Sequence, residues 1–327
     1  MLGSGAAMDI LTLRAGEASV QLQPAAGGAI TRYWQERGGV TWEWLRPPPP
    51  RHGAFRLAAA FPLVPYSNRI REGRFSFRGR SVVLPLNFPP ERHSIHGEGW
   101  QAAWRPIAVA ATEARLEYDH PAGAWPWTYR VTQHVALTAE RLVVSLALTN
   151  ESAEAMPAGL GWHPYFARTP RATVAARVRA MWLTDDEMLP TSLETSPAAD
   201  LARGIAVERV ALDNCCVGWS GRARLEWPEA GARLTMTAEP PLHCLVMFTP
   251  PRRPFFCVEP VSHVTDAFNL AAAGRRDTGM RILEAGETLR AAVTLRTEAG
   301  RGPVSRPAGD TRRPGRAAAR RTPRRAT

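Results

Sequence analysis

A chain of 327 residues with 45% hydrophobic side chains can bury a sizeable core, which excludes disorder over most of its length. The formal charge of +11 is gathered at one end: from Arg301 onward there are nine arginines and one aspartate, a net +8, which leaves about +3 for the preceding 300 residues. A body so near neutral lacks the basic face of a nucleic-acid binder, and polyanion binding by the tail is expected to be weak, salt-dependent and incidental. All the basic residues are arginine, a uniformity that reads as compositional bias and not as function.

The N-terminus shows no basic stretch followed by a long apolar run, and no run of about 18 apolar residues occurs anywhere. The expectation is a soluble, cytoplasmic protein with neither signal peptide nor membrane span, with Met8 an alternative start. Cys215, Cys216, Cys244 and Cys257 have no CxxC spacing, and neighbours on a strand point to opposite faces. They are expected to be buried reduced thiols, not a shared metal site.

In chain order, residues 47–50 are four prolines and read as a surface loop. Arg74-Phe75-Ser76-Phe77, Arg78-Gly79 and Ser81-Val82-Val83-Leu84 read as a hairpin. Leu142, Val144, Leu146 and Leu148 alternate with Val143, Ser145, Ala147 and Thr149, the period of a half-buried strand. A short helix is predicted over Ser196–Arg203, with Ser196 as N-cap and Pro197 at the first helical position. Residues 223–227 and 232–237 flank Pro228-Glu229-Ala230-Gly231 as a second hairpin, and 288–297 forms a last alternating strand. Prolines, 29 in all, interrupt helical patterns throughout. The pattern predicts an all-β protein, a large antiparallel β-sandwich over residues 8–298, and a disordered Arg/Pro/Ala-rich tail over 299–327.

Four segments place polar side chains where a strand core prefers apolar ones: Ser67-Asn68-Arg69-Ile70; His93-Ser94-Ile95-His96-Gly97-Glu98-Gly99-Trp100; Gly161-Trp162-His163-Pro164-Tyr165-Phe166; and Val258-Glu259-Pro260 with Asp266-Ala267-Phe268-Asn269. His163 and Glu259 each precede a proline, which holds the preceding residue extended and so aims its side chain. A histidine and a glutamate on rigid strands supply an acid and a base. Read singly, His163 is as well explained by a hydrogen-bonded core histidine, and Glu259 by an edge-strand carboxylate paired with an arginine.

Together, and in this order, the four segments resemble the aldose 1-epimerase (galactose mutarotase) family over nearly the whole body. The resemblance implies the family's β-sandwich with a sugar cleft on its concave face. It also implies His163 as the group protonating the ring oxygen, Glu259 as the base on the C1 hydroxyl, and no metal or organic cofactor. It further implies substrate contacts from Asn68, Arg69 and His96, and from Asp213 in Ala211-Leu212-Asp213-Asn214. The alternatives are an ion pair of Arg69 with Glu72 and a turn-forming role for Asp213. His93 and His96 form a His-x-x-His pattern, but three residues apart on a strand face opposite sides, so His93 is expected at the surface or in a loop. Trp100, Trp162 and Trp219 could offer a ring to a sugar, though core packing is the default for most of eleven tryptophans. The partner is a small sugar. Two other functions remain open: a hexose-6-phosphate 1-epimerase using Arg69 and Arg71, and a non-catalytic sugar-binding protein on the same fold.

Overall fold

A computed structural model describes residues 10–47 and 58–298. The expected proline loop lies largely outside the described residues, and the tail and Met8 lie wholly outside them. Nearly all the strands fall into one eleven-stranded and one nine-stranded sheet. Within both, neighbouring strands run antiparallel. The fold is the all-β sandwich that the alternation predicts.

Strand alternation explains how the sheets meet. Along Arg141–Asn150 in the nine-stranded sheet, Leu142, Val144, Leu146 and Leu148 are buried while the residues between them are half-buried. From the same sheet, Trp227 reaches Phe256 and Phe166 of the eleven-stranded sheet, with ring centroids 6.5 and 6.4 Å apart. Phe166 and Phe256 themselves lie 5.7 Å apart. This aromatic layer is fully buried, and truncating any one of these rings to alanine should cost about 3–5 kcal/mol. Trp162 belongs to the same core, and Trp219 is buried with its Nε1 donating to the Arg222 carbonyl. Neither offers a face to a ligand.

Both predicted hairpins form, pairing Arg74–Phe77 with Arg80–Val83 and Arg222–Trp227 with Ala232–Ala238. The helix Ser196–Arg203 is present, but the residue before it, Thr195, occupies the cap position and no side chain caps it. Proline at the first turn and a packed Leu201 suffice to start it. A second helix, Ala267–Ala272, follows the Asp266 segment. All four cysteines are free and buried. Among the described residues no helix is long and apolar enough to cross a membrane.

Candidate active site

The site is built on the middle of the eleven-stranded sheet, where Ala60–Leu63, Gly161–Ala167, Phe255–Val261, Cys244–Phe248 and Asp213–Val217 lie side by side. Period-two alternation sorts their side chains. On Gly161–Ala167, Trp162 and Phe166 enter the core, and His163 and Tyr165 take the other face. On Phe255–Val261, Phe256 and Val258 enter the core, and Phe255 and Glu259 face outward. Gly161 pairs with Val261 and Tyr165 with Cys257, so His163 and Glu259 lie across from each other between those pairs. The pairing lapses there because Pro164 and Pro260 have no N–H for the ladder. Glu259 thus sits on a central strand, which removes the edge-strand reading. His163 Nε2 is 3.3 Å from Glu259 Oε1, and both side chains are almost wholly buried.

Loops carry the other walls of a cleft of about 470 Å³, which all six predicted residues line. Arg69 donates from Nε to Glu91 and from Nη2 to Asp213, each at 3.1 Å. The pairing with Glu72 therefore does not occur, and Asp213 is no turn residue but the first residue of its strand. Asn68 is buried, and its Oδ1 accepts from the Arg69 backbone N–H at 2.7 Å. Asp266 accepts from the Arg71 N–H at 3.0 Å and its own N–H donates to the Arg69 carbonyl, which straps the Arg69 loop to the sheet.

The His96 segment is a loop, not a strand. His93 lies in this loop, one of its two expected places, but not at the surface: it is buried, its Nδ1 accepting from the Glu72 N–H at 3.1 Å. His96 itself turns into the cleft with φ +67°, an uncommon conformation for a residue with a Cβ. Asn87 holds it there. Its Nδ2 donates to the carbonyls of Ile95 (2.8 Å) and Gly97 (2.9 Å), and its Oδ1 accepts from the Ile95 N–H at 2.9 Å. Gly97 must be glycine, because a Cβ would lie 1.9 Å from the Val64 carbonyl oxygen.

Hydrogen bonding fixes the His96 tautomer. Its Nδ1 lies 2.9 Å from the Ser67 carbonyl, which can only accept, so Nδ1 carries the proton. Burial lowers its pKa to about 4, with the Ser67 bond opposing and Arg69 adding to the fall. His96 is therefore neutral near pH 7, and its Nε2 presents a lone pair. Burial also drives His163 well below its ordinary value, helped by His96 and Arg46, and drives Glu259 well above its own, helped by Asp213 and opposed by Arg69. The 3.3 Å contact could be written as an ion pair, but burial favours the neutral form of each partner. We assign the resting contact to a neutral imidazole and a carboxylic acid that hold one titrating proton between them. Arg69 keeps its charge: burial pulls its pKa down, but Asp213 and Glu91 outweigh that pull.

Around the pair is an aromatic frame. Tyr165 stacks on His163 at 4.5 Å, Phe61 lies 4.7 Å from His163 and 6.1 Å from Tyr165, and Trp100 stacks on Phe61 at 5.3 Å. Arg46 lies 3.6 Å from the Tyr165 ring centre and donates to the Ala58 carbonyl. No motif marks Arg46, Glu91 or Asn87: Arg46 and Glu91 lie far in sequence from Tyr165 and Arg69, and Asn87, only eight residues before Ile95, acts on backbone groups. Tyr165 is legible in principle, two residues from His163 on the same strand face, whereas Phe61 stands opposite His163 through a register that only folding sets. Arg71 does not line the cleft. One further neighbour emerges, Cys257, two residues before Glu259 on the same strand face.

A family model described as aldose 1-epimerase matches residues 9–296. The uncharacterised protein YphB of Escherichia coli K12 is 33% identical over 306 residues, covering 89% of this chain and 99% of its own. The crystal structure of an aldose 1-epimerase candidate from Escherichia coli K12 aligns with TM-score 0.81 at 31% identity, covering 90% of this chain and all of that one. A galactose mutarotase-like protein from Clostridium acetobutylicum aligns with TM-score 0.76 at 19% identity, covering 89% and 95% of the two chains, and speaks to fold alone.

Proposed function

Because this chain belongs to the aldose 1-epimerase family, we propose that it interconverts the α and β anomers of a free aldose, with His163 and Glu259 as its acid–base pair. The observation that carries this reading is the facing of His163 and Glu259 at 3.3 Å on the floor of the cleft, beneath a charged Arg69. In ring opening, the proton on His163 passes to the ring oxygen while Glu259 takes the proton of the C1 hydroxyl. The C1–O5 bond breaks and the free aldehyde forms. Rotation about C1–C2 and closure with the roles exchanged gives the other anomer, as microscopic reversibility requires.

The charges balance through this cycle. An imidazolium with a carboxylate holds the same number of protons as an imidazole with a carboxylic acid. The first pair starts ring opening, and the second, which burial favours, is what ring opening leaves. The reaction draws on neither a metal nor an organic cofactor. Asn68, Arg69 and Asp213 offer hydrogen bonds to sugar hydroxyls, and the His96 Nε2 lone pair accepts one. A neutral His96 has no proton there for the ring oxygen, which leaves that donation to His163.

A hexose 6-phosphate would need cations without partners of their own. Both donating nitrogens of Arg69 end on carboxylates, and Arg71 is half-exposed and 3.9 Å from Asp266. This supports an unphosphorylated sugar, although Arg46 and Arg253 also line the cleft. The test is polarimetry of freshly dissolved pure anomers from a panel of aldoses, with and without the corresponding hexose phosphates as inhibitors. Acceleration above the buffer rate on a free aldose supports the reading. Acceleration confined to phosphorylated sugars, or none at all, contradicts it.

A further inference from the structure

From one additional residue beneath the acid–base pair, we propose that the cleft floor is an inhibitory site for a soft divalent cation such as Zn²⁺, held by His163, Cys257 and Glu259. The ligand atoms of these three residues all lie within 4.8 Å of one another. Strand geometry produces the cluster: Cys257 and Glu259 are two apart on one strand face, and His163 stands across the pair on the neighbouring strand. Bond lengths of about 2.0–2.3 Å place tetrahedral zinc ligands roughly 3.5 Å apart. Side-chain shifts of about 1 Å would therefore close the shell, with the fourth position open to the cleft.

The chemistry suits zinc better than a hard cation, since thiolate and imidazole are soft ligands. Binding sends two protons to solvent, the Cys257 thiol proton and the one shared by His163 and Glu259, and the resulting thiolate and carboxylate neutralise the ion's two charges. Two features make this a site for an exogenous inhibitor, not a resident cofactor. His163 Nδ1 has no hydrogen-bond partner among the described residues, so the outer contact that normally fixes a ligating histidine is missing. Arg46 and Arg69, both lining the same cleft, add positive charge that opposes a cation.

That the ion inhibits rests on the proposed roles of His163 and Glu259, because coordination would occupy the lone pairs they need for proton transfer. That it binds does not. The experiment therefore reads both. Titration of the full-length protein with Co²⁺ should give a thiolate-to-cobalt charge-transfer band at one equivalent, with the visible bands of a tetrahedral ion. Zn²⁺ should displace the cobalt and slow mutarotation, and a chelator should restore the full rate. Cys257→Ser should abolish the charge-transfer band and weaken zinc inhibition about 100-fold, judged against that variant's own metal-free rate. Cys257→Ala serves if the serine variant does not fold. A band that survives in either variant would assign the metal to other cysteines and overturn the proposal, as would absence of the band in the wild-type protein. A Cys257-dependent band in a protein inactive on every sugar would leave the metal site standing and sink the mutarotase reading instead.

Discussion

Asn87 is the residue through which the account can be tested away from the chemistry. Replacing it by alanine removes both donated bonds, to the carbonyls of Ile95 and Gly97, and the acceptor for the Ile95 N–H. At about 1 kcal/mol per bond the stability loss should be about 3 kcal/mol, and larger if the exposed loop groups find no water. His96 holds φ +67° inside this clamp, a conformation that itself costs roughly 1 kcal/mol or more. Released, the loop should relax and carry Nε2 away from the sugar. Loss of one sugar hydrogen bond of about 1.4 kcal/mol is a tenfold effect, expected mainly in KM because the bond forms alike in ground and transition states. The assay is saturation kinetics by polarimetry beside urea unfolding of the same samples. Wild-type KM together with wild-type stability would refute the argument that Asn87 positions His96.

Three further outcomes follow from the electrostatics. The pair works while it holds one proton, so kcat/KM should fall on both sides of a plateau, with the acid limb below pH 6.5 because burial lowers His163; measured against buffer rate, an acid limb above 6.5 would contradict this. Arg69→Ala should raise KM and, since Arg69 lowers the Glu259 pKa, shift the alkaline limb upward; an unmoved limb would show that Arg69 does not act on Glu259. His263, buried and bonded through Nε2 to the Ser67 N–H at 2.9 Å, has its folded pKa depressed to about 4 by burial, opposed by its Val264 bond. A depressed histidine contributes stability that is complete above pH 6.5 and is lost as pH falls towards 4, here about 3 kcal/mol. Urea unfolding should show a fall in stability over this range that is smaller in His263→Gln than in the wild type by about that amount, because His96 and His163, depressed likewise, contribute to the fall in both.

How far the sequence leads depends on whether the causes are local. Strand periodicity, the hairpin turns and the proline after His163 are local, and each predicted the structure at its own position. The facing of His163 and Glu259 is not local, since it depends on the register between two strands almost a hundred residues apart; only the family resemblance anticipated it. His93 shows the limit of periodicity: the argument from strand faces gave the right separation from His96, but the segment is a loop and His93 is buried. Asn87 and Glu91 act through backbone groups and a guanidinium brought to them by folding, so no motif marks them. In the sequence Cys257 is one of four buried thiols, and its spacing to Glu259 gains meaning only once both share a strand face with His163 across from it.

Glu259→Gln separates proton transfer from sugar binding. The amide keeps the size of the side chain and one accepting oxygen but cannot take the C1 hydroxyl proton. On a sugar that the wild-type protein mutarotates, polarimetry should show kcat lowered by about 10²–10⁴-fold, while calorimetry shows sugar affinity changed far less. A variant that binds sugar and turns it over at near the wild-type rate would show that Glu259 is not the base.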